Sequence, residues 1–407
     1  MTAASISSTA WRNALFAVMA TNGFAIATLL ARTPALRDRL GVDPAGIGLM
    51  LAFFSGGSIL GLATSGLLLH VLGARRLVVV AMPVVAAATL AIGVCTGALA
   101  SFPATAAGAA LFGAAVALSD VALNVEGSAN ERKAGRSVLP FVHAGFSFGT
   151  VLGAALGALA AAVGVDVLIH FCVAAVIVLV VAVVAPRWIP AAAAAPGAEP
   201  VAGRTAARRV WADPRTYVLG LVIFAFGYIE GAANDWLALG VVDERGFDQA
   251  GGALMLSAFT AAMTAGRFAG SRIIDRIGRQ RTFIASALVA AAGLALLVFV
   301  PQTWAVVVGT IVWALGSSLG WPIGISAAGD DPASASMRVS AVSTLGYLAF
   351  FAGPPIVGLI ANGIGILPAL SVVFVLVAIA LAVSPVVRPR PAAPAAVDAF
   401  GDPGTVA

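Results

Sequence analysis

LMLSAFTAAMTAGRFAGSRIIDRIGRQR, residues 254–281, runs in register with LMLAFFSGGSILGLATSGLLLHVLGARR, residues 49–76, at an offset of 205 residues. Leu49-Met50-Leu51 falls on Leu254-Met255-Leu256, Phe54 on Phe259, Gly61 on Gly266, Gly73 on Gly278 and Arg76 on Arg281. Each copy is an apolar run that ends in a Gly-containing basic turn, which reads as a membrane-crossing helix followed by a short loop. A helix–loop unit that recurs once at this distance divides the chain into two halves of like plan.

The rest of the chain fits that plan. Of its 407 residues 60% are hydrophobic and 10% charged, with a mean hydropathy of +1.02. A water-soluble chain needs about 25% charged residues to wet its surface, so bilayer is the natural solvent here. A spanning helix takes about 20 apolar residues. Twelve candidate runs are found: 12–36, 46–70, 76–98, 103–126, 138–163, 166–186, 216–240, 250–274, 281–301, 303–328, 337–361 and 366–387. They are continuous and rich in Ala, Leu, Val and Gly, whereas a β-barrel needs short alternating segments. The expected fold is an all-α membrane protein of two pseudo-symmetric six-helix bundles. The first run is too long, and too polar at Asn22, for a cleaved leader, and is expected to be retained.

Residues 187–215 interrupt the hydropathy with an Ala/Pro/Gly stretch and a basic patch at Arg204, Arg208 and Arg209. The expected division is therefore 1–186 as the first bundle, 187–215 as linker, 216–387 as the second bundle and 388–407 as a disordered tail. A cytoplasmic N-terminus puts Arg75, Arg76, Arg132, Lys133, Arg136, Arg276, Arg279, Arg281, Arg338, Arg388 and Arg390 inside, together with the basic linker. The opposite loops hold Arg37, Arg39 and Arg245 beside Asp38, Asp43, Asp243, Glu244 and Asp248. That bias is the positive-inside pattern and places both termini in the cytoplasm of a multi-pass inner (plasma) membrane protein. It also accounts for a pI near 10 without nucleic acid.

No enzyme signature survives inspection: there is no Walker loop, HExxH or paired Cys, and His70, His143 and His170 fall in different runs. Cys95 and Cys172 read as buried packing residues. No metal or cofactor is expected, and energy for transport has to come from a gradient.

The loop of the repeated unit carries a family resemblance. Ser271-Arg-Ile-Ile-Asp275-Arg276-Ile-Gly278-Arg279-Gln-Arg281 resembles the G-x-x-x-D-R-x-G-R-R/K signature of the major facilitator superfamily. Gly66, His70, Gly73, Arg75 and Arg76 form the first-half copy, with His70 in place of the usual Asp. Ala31-Arg32-Thr33-Pro34, Asp120-Val-Ala-Leu-Asn124, His143-Ala-Gly145-Phe-Ser147-Phe-Gly149, Glu230-Gly-Ala-Ala-Asn234-Asp235-Trp236 and Gly353-Pro354-Pro355 resemble its MosC/YbjJ-type branch, which is related to the fucose-permease group. The resemblance spans about residues 12–385. It implies a secondary transporter with a substrate site between the bundles near the membrane midplane.

Ionisable side chains at membrane depth are candidate working residues. Asp120 stands about six residues before the expected end of helix 4, hence about 9 Å deep, and Asn124 shares its face. The resemblance to the fucose-permease group implies a proton-coupling and sugar-binding carboxylate at Asp120; a structural bond to a neighbouring helix is the alternative. Glu230, expected in the outer half of helix 7 with Asn234 one turn on, is the second candidate. Trp236 offers a ring face to a ligand or an interfacial anchor, and Asp235 is expected at the rim. Arg32 pairs with an outer acid, holds an anionic ligand, or snorkels. Arg267 needs a carboxylate partner or belongs to the cytoplasmic gate with Gly66, Gly73, Arg75, Arg76, Asp275, Arg276, Gly278 and Arg279. His143 is a proton relay or a satisfied histidine; Asn22 faces the cavity or bonds a helix. Trp313, Trp321 and Tyr347 line a cavity or pack. Glu126, Glu131, Arg132 and Arg136 read as rim salt bridges. Gly145, Gly149, Gly153 and Gly157 form a small-residue stripe for helix contact.

These readings converge on a monomeric, proton-linked carrier of a small polar solute (sugar, polyol or inositol-like) working by alternating access, with sodium as the other available coupling ion. The rivals are a proton-driven exporter of drugs or metabolites and a non-transporting receptor or scramblase on the same fold.

Overall fold

The computed structural model describes residues 6–135, 138–190, 204–331 and 334–389. Residues 191–203 of the expected linker, most of the expected tail and the rim residue Arg136 lie outside that range. Among the described residues every regular element is helical. The long helices are α1 (Ser8–Ala31), α2 (Pro44–Leu72), α3 (Ala74–Gly97), α4 (Phe102–Ala134), α5 (Leu139–Ala162), α6 (Val167–Val184), α7 (Pro214–Arg245), α8 (Gln249–Ile277), α9 (Arg279–Phe299), α10 (Thr303–Ser317), α11 (Ala335–Ile364) and α12 (Val372–Ala382). Among the described residues ten segments are long and apolar enough to cross a membrane. The other two positions are filled by α8, 29 residues long but carrying Arg267 and Arg272, and by the shorter apolar stretch Ile366–Ala382.

Where the helices depart from the expected runs, the departures have causes. α10 stops at Ser317 and a second piece, Gly320–Ala328, continues it. The twelfth segment is built from Ile366–Ala369, α12 and a 3-10 turn Ser384–Val387 around Pro368 and Pro385, each of which lacks an N–H. α4 runs on to Ala134, well past residue 126, because Ala129, Glu131, Arg132 and Lys133 are good helix formers that carry it past the apolar run. α7 runs to Arg245. Both extensions change the depth of the candidate acids, as described below.

The repeat is physical. Asp43 and Asp248 cap α2 and α8, their side chains accepting from Gly46 N at 2.8 Å and Gly251 N at 2.7 Å. Gly73 and Gly278 turn the chain into α3 and α9 at φ of 75° and 84°, a region that disfavours any side chain.

Small residues set the spacing within each bundle. The predicted stripe on α5 lies against α1: an added Cβ at Gly145 would sit 2.7 Å from Phe16 O, one at Gly149 would fall within the radius of Ala20 O, and one at Gly157 would sit 2.8 Å from Ala31 Cβ. Gly57 and Gly61 of α2 meet Ala110 and Ala114 of α4 in the same way. A Cβ on Gly66 would have nothing within 4 Å, so this glycine of the signature is not at a close helix contact.

The bundles meet through α2 on α11 and α5 on α8. Among the described residues, the hydrogen bonds that join them lie towards one rim, which carries Asp38, Asp43, Asp166, Asp243, Glu244 and Asp248 and is called the acidic rim. Arg37 pairs with Asp243, Gln249 donates to Asp38 at 3.2 Å, and Asn362 donates to Asp43 at 2.7 Å. Asn362 also accepts from Ala45 N at 3.1 Å, and Ser55 Oγ donates to Phe350 O at 2.8 Å. A Cβ on Gly48 would lie 2.6 Å from Pro354 O, so α2 and α11 are in backbone contact there. Towards the opposite, basic rim of Arg75, Arg132, Arg276 and Arg279 no described hydrogen bond joins the bundles. Leu60 and Leu67 on α2 and Phe268 and Ile277 on α8 are exposed there.

Gly149→Val should lower stability by about 1–3 kcal/mol, because the contact has no room to relax. Gly66→Ala should shift it by less than about 1 kcal/mol. Thermal unfolding of the purified protein in detergent measures both.

Candidate functional site

Asp120 lies 14 residues before the end of α4, about 21 Å along the helix and near its middle. It is therefore deeper than the run 103–126 implied. Asn124 stands one turn on, and its Nδ2 donates to Asp120 O at 2.9 Å and Asp120 Oδ2 at 3.3 Å. That orients the amide so that Oδ1 accepts from His143 Nε2 at 3.0 Å. The three residues singled out on α4 and α5 thus form one hydrogen-bonded chain. Asp120 has no basic partner at ion-pair distance among the described residues, and its charge is felt by His143 and by Tyr347 of α11. Asp120 therefore faces the space between the bundles.

The wall opposite is aromatic. Tyr347 is 46% exposed and its ring lies 5.7 Å from Trp321 and 6.4 Å from Phe350; Trp321 and Phe350 are 6.0 Å apart. Trp321 sits in the second piece of α10, so the break in that helix positions the cluster. A polar chain on one side and three rings on the other make an amphipathic crevice. Trp313, by contrast, is fully buried against Phe259 and packs.

Glu230 lies at the middle of α7, not in its outer half, and it is not a free carboxylate. Arg267 Nη2 of α8 donates to both of its oxygens, at 3.0 and 3.2 Å. The carboxylate that Arg267 required is Glu230, so the residue belongs to the mid-membrane site and not to the gate at the rim. Asn234 is half-buried one turn beyond.

Three expected contacts to ligand meet closed surroundings. Trp236 is fully buried, next to Gly358 where α11 meets the start of α2, and its ring face is not available to a crevice. Asn22 is 1% exposed and donates to Ser119 Oγ at 3.1 Å, a bond between α1 and α4. Arg32 is 4% exposed at the acidic rim, donating to Val165 O at 2.9 Å with Asp166 nearby. Each shows the limit of one-dimensional reading: a polar residue in an apolar run has to be satisfied, and a neighbouring helix does it as well as a cavity.

The signature loops resolve into two related networks at the basic rim. Arg279 grips Asp330 through both terminal nitrogens, at 2.7 and 2.6 Å, donates Nε–H to Val387 O at 2.6 Å, and shares Asp330 with Arg215 at 3.2 Å. In the first bundle Arg75 Nε donates to Pro186 O at 3.3 Å and lies beside Glu126, with Trp11 adjacent. Glu126 was expected as a rim salt bridge; it is 1% exposed instead. Glu131 accepts from Val138 N and Leu139 N, holding the start of α5. Arg76, Asp275 and Arg276 are exposed. The sequence reading missed Asp330; the 205-residue offset carries Glu126 onto its neighbour Asp331, so the acidic pair at 330–331 was the signal that could have pointed to it. It also placed Asp235 at the rim, although α7 continues ten residues beyond it.

Comparison with known proteins agrees with this fold. The family profile described as Major Facilitator Superfamily matches residues 14–253 and 219–405. An uncharacterized MFS-type transporter of Yersinia pestis is 28% identical over 363 residues, covering 88% of this chain and 90% of that one. The membrane protein MosC of Rhizobium meliloti is 26% identical over 352 residues, covering 85% and 82%. Among solved structures, a variant of the nucleoside transporter NupG superposes with a TM-score of 0.76 at 12% identity, covering 93% of this chain and 98% of that one. The E. coli fucose:proton symporter FucP does so with 0.59 at 17%, covering 92% and 98%. At these identities the structural likeness speaks to the fold.

Arg267→Met should cost about 2 kcal/mol by leaving Glu230 unpaired, less than the roughly 3–5 of a fully buried pair because Arg267 is 35% exposed. Glu230→Gln/Arg267→Met should recover most of the loss in thermal unfolding. Asp330 lies outside the spanning segments; burial pushes its carboxyl up, but Arg279 and Arg215 outweigh it and hold the group below the usual carboxylate range. Its contribution to stability is therefore complete above the ordinary value of about 3.9 and is lost as pH falls through the lowered one. Acid unfolding of Asp330→Asn should lack that component.

Proposed function

This chain belongs to the Major Facilitator Superfamily, and from that premise we propose that it is a secondary active transporter of a small polar ring compound, of the sugar, polyol or inositol class, driven by protons. That it is a multi-pass membrane transporter follows from the family; the solute, the coupling ion and the orientation are the proposal.

The observation that carries the reading is the crevice itself. Asp120, Asn124 and His143 present a carboxylate, an amide and an imidazole to one side, and Trp321, Tyr347 and Phe350 present rings to the other. A cyclic polyol offers hydroxyls round its edge and C–H bonds on its face, and such a wall pair satisfies both. The Asp120–Asn124–His143 chain also gives a proton a route towards the basic rim, where His143 is exposed. The bundles are sealed at the acidic rim and part at the basic rim; with the basic rim cytoplasmic by the positive-inside pattern, this is an inward-open state. We take residues 1–186 and 216–387 as the two moving bundles. Moving one charge across 100 mV gains about 2.3 kcal/mol, enough for a concentration ratio of roughly fifty.

Asp120→Asn keeps the size and hydrogen bonding of the side chain and removes its proton. In proteoliposomes loaded with a panel of labelled sugars and inositols, it should retain counterflow of the transported compound. Accumulation driven by an imposed pH gradient should fall to the level of empty vesicles. Full accumulation by the variant would take Asp120 out of proton coupling.

A further inference from the structure

Two acids stand on the middle of α7, and only one has a cation. Glu230 is neutralised by Arg267. Asp235, five residues on, points about 140° away round the helix at 3.6 residues per turn, and it has no hydrogen-bond or ion-pair partner among the described residues. It is not at the rim: ten residues of α7 lie beyond it.

The face that Asp235 shares with Gly231 looks at α11. A Cβ on Gly231 would lie 3.1 Å from the Phe350 ring and 4.0 Å from Asp235 Oδ2. Two turns back, Tyr228 donates to Gly353 O at 3.5 Å and feels the Asp235 charge. Phe350–Pro354 is the stretch of α11 that closes on α2: Phe350 O accepts from Ser55, and Pro354 O touches Gly48. Asp235 thus stands directly behind the seal between the bundles.

The groups that could compensate its charge are committed elsewhere. On α8, Arg267 is held by Glu230. On α11, Tyr347 faces Asp120, and Arg338 pairs with Asp213 at the far end. Neither piece of α10 nor α12 carries a titratable residue. At the acidic rim Arg37 is held by Asp243, and Arg32 lies against Val165. An unpaired carboxylate anion in such surroundings costs several kcal/mol, which water reaching it would relieve.

We propose that Asp235 is a second proton-binding site, distinct from Asp120, that couples protonation to the seal: proton-loaded it lets α11 close on α2, and its ionisation favours opening at the acidic rim. The proposal rests on the transport reading and adds to it the group that senses the proton on the side opposite the open crevice. The step is a proton binding to and leaving the Asp235 carboxylate, with no other bond made or broken.

The test needs no knowledge of the solute. Leu51, 1% exposed, shares the sealed face of α2 with Gly48 and Ser55. With Cys95→Ser and Cys172→Ser in the background, Leu51→Cys reports opening through its rate of alkylation by N-ethylmaleimide in detergent. The rate, corrected for the intrinsic pH dependence of thiol alkylation with a small thiol, should rise roughly ten-fold from acid to alkaline pH, a coupling of about 1.4 kcal/mol. Asp235→Asn should make the rate low and pH-independent, Asp235→Glu should restore the transition, and replacing sodium by choline should change nothing. An unaltered transition in Asp235→Asn would overturn the proposal, as would a sodium dependence at fixed pH. A parent labelled at a constant, substantial rate at every pH would also overturn it and leave transport standing. A parent never labelled would remove alternating opening itself.

Discussion

An ion inside hydrocarbon has to be neutralised, hydrated or both, and the polar architecture of this chain follows from that constraint. At membrane depth Glu230 is neutralised by Arg267; at the basic rim Asp330 is neutralised by Arg279 and Arg215 and Asp213 by Arg338. These pairs tie neighbouring helices of one bundle together. Asp120 and Asp235 have no cation among the described residues: Asp120 faces the seam between the bundles, and Asp235 stands behind it, against α11. Glu230, paired at the middle of its helix, is satisfied within its own bundle, whereas the acids paired across the bundles, Asp243 with Arg37 and Asp43 with Asn362, lie at the acidic rim.

The two halves share a plan but have diverged in charge. The same capping aspartates open α2 and α8, and left-handed glycines turn into α3 and α9. Arg75 and Arg279 both donate to a carbonyl of the 3-10 turn that ends their bundle's last helix. Where the second bundle sets Arg215 and Arg279 round Asp330, the first sets Trp11 and Arg75 beside a buried Glu126, and His70 replaces Asp275 in the loop. The second bundle therefore locks its basic rim with ion pairs and the first with packing and fewer charges.

Backbone proximity decides where the seam holds. Without a hydrophobic force between helices in lipid, association depends on close packing and hydrogen bonds. Gly48 against Pro354, and Ser55 against Phe350, give both at the acidic rim. Nothing comparable joins the described residues of the two bundles at the basic rim, so the crevice opens there. Phe350 takes part in both the seal and the aromatic wall, which links the crevice to the closure above it.

The helical membrane fold, the two-fold repeat, the glycine stripe on α5 and the shared face of Asp120 and Asn124 were legible in the sequence. They depend on local properties: apolar length, small-residue spacing, and a carboxylate and an amide one helical turn apart. What only the tertiary structure decided was partnership. Glu230 and Arg267 are 37 residues apart, Arg279 and Asp330 are 51 apart, and no spacing rule joins them. Asn22 and Trp236 look like cavity residues until a neighbouring helix covers them, and Asp235 looks like a rim residue until α7 extends past it. Hydropathy measures how costly a polar group is at a given depth. Which atom on another helix meets that cost is a matter of three-dimensional packing, and the chain's own periodicity does not encode it.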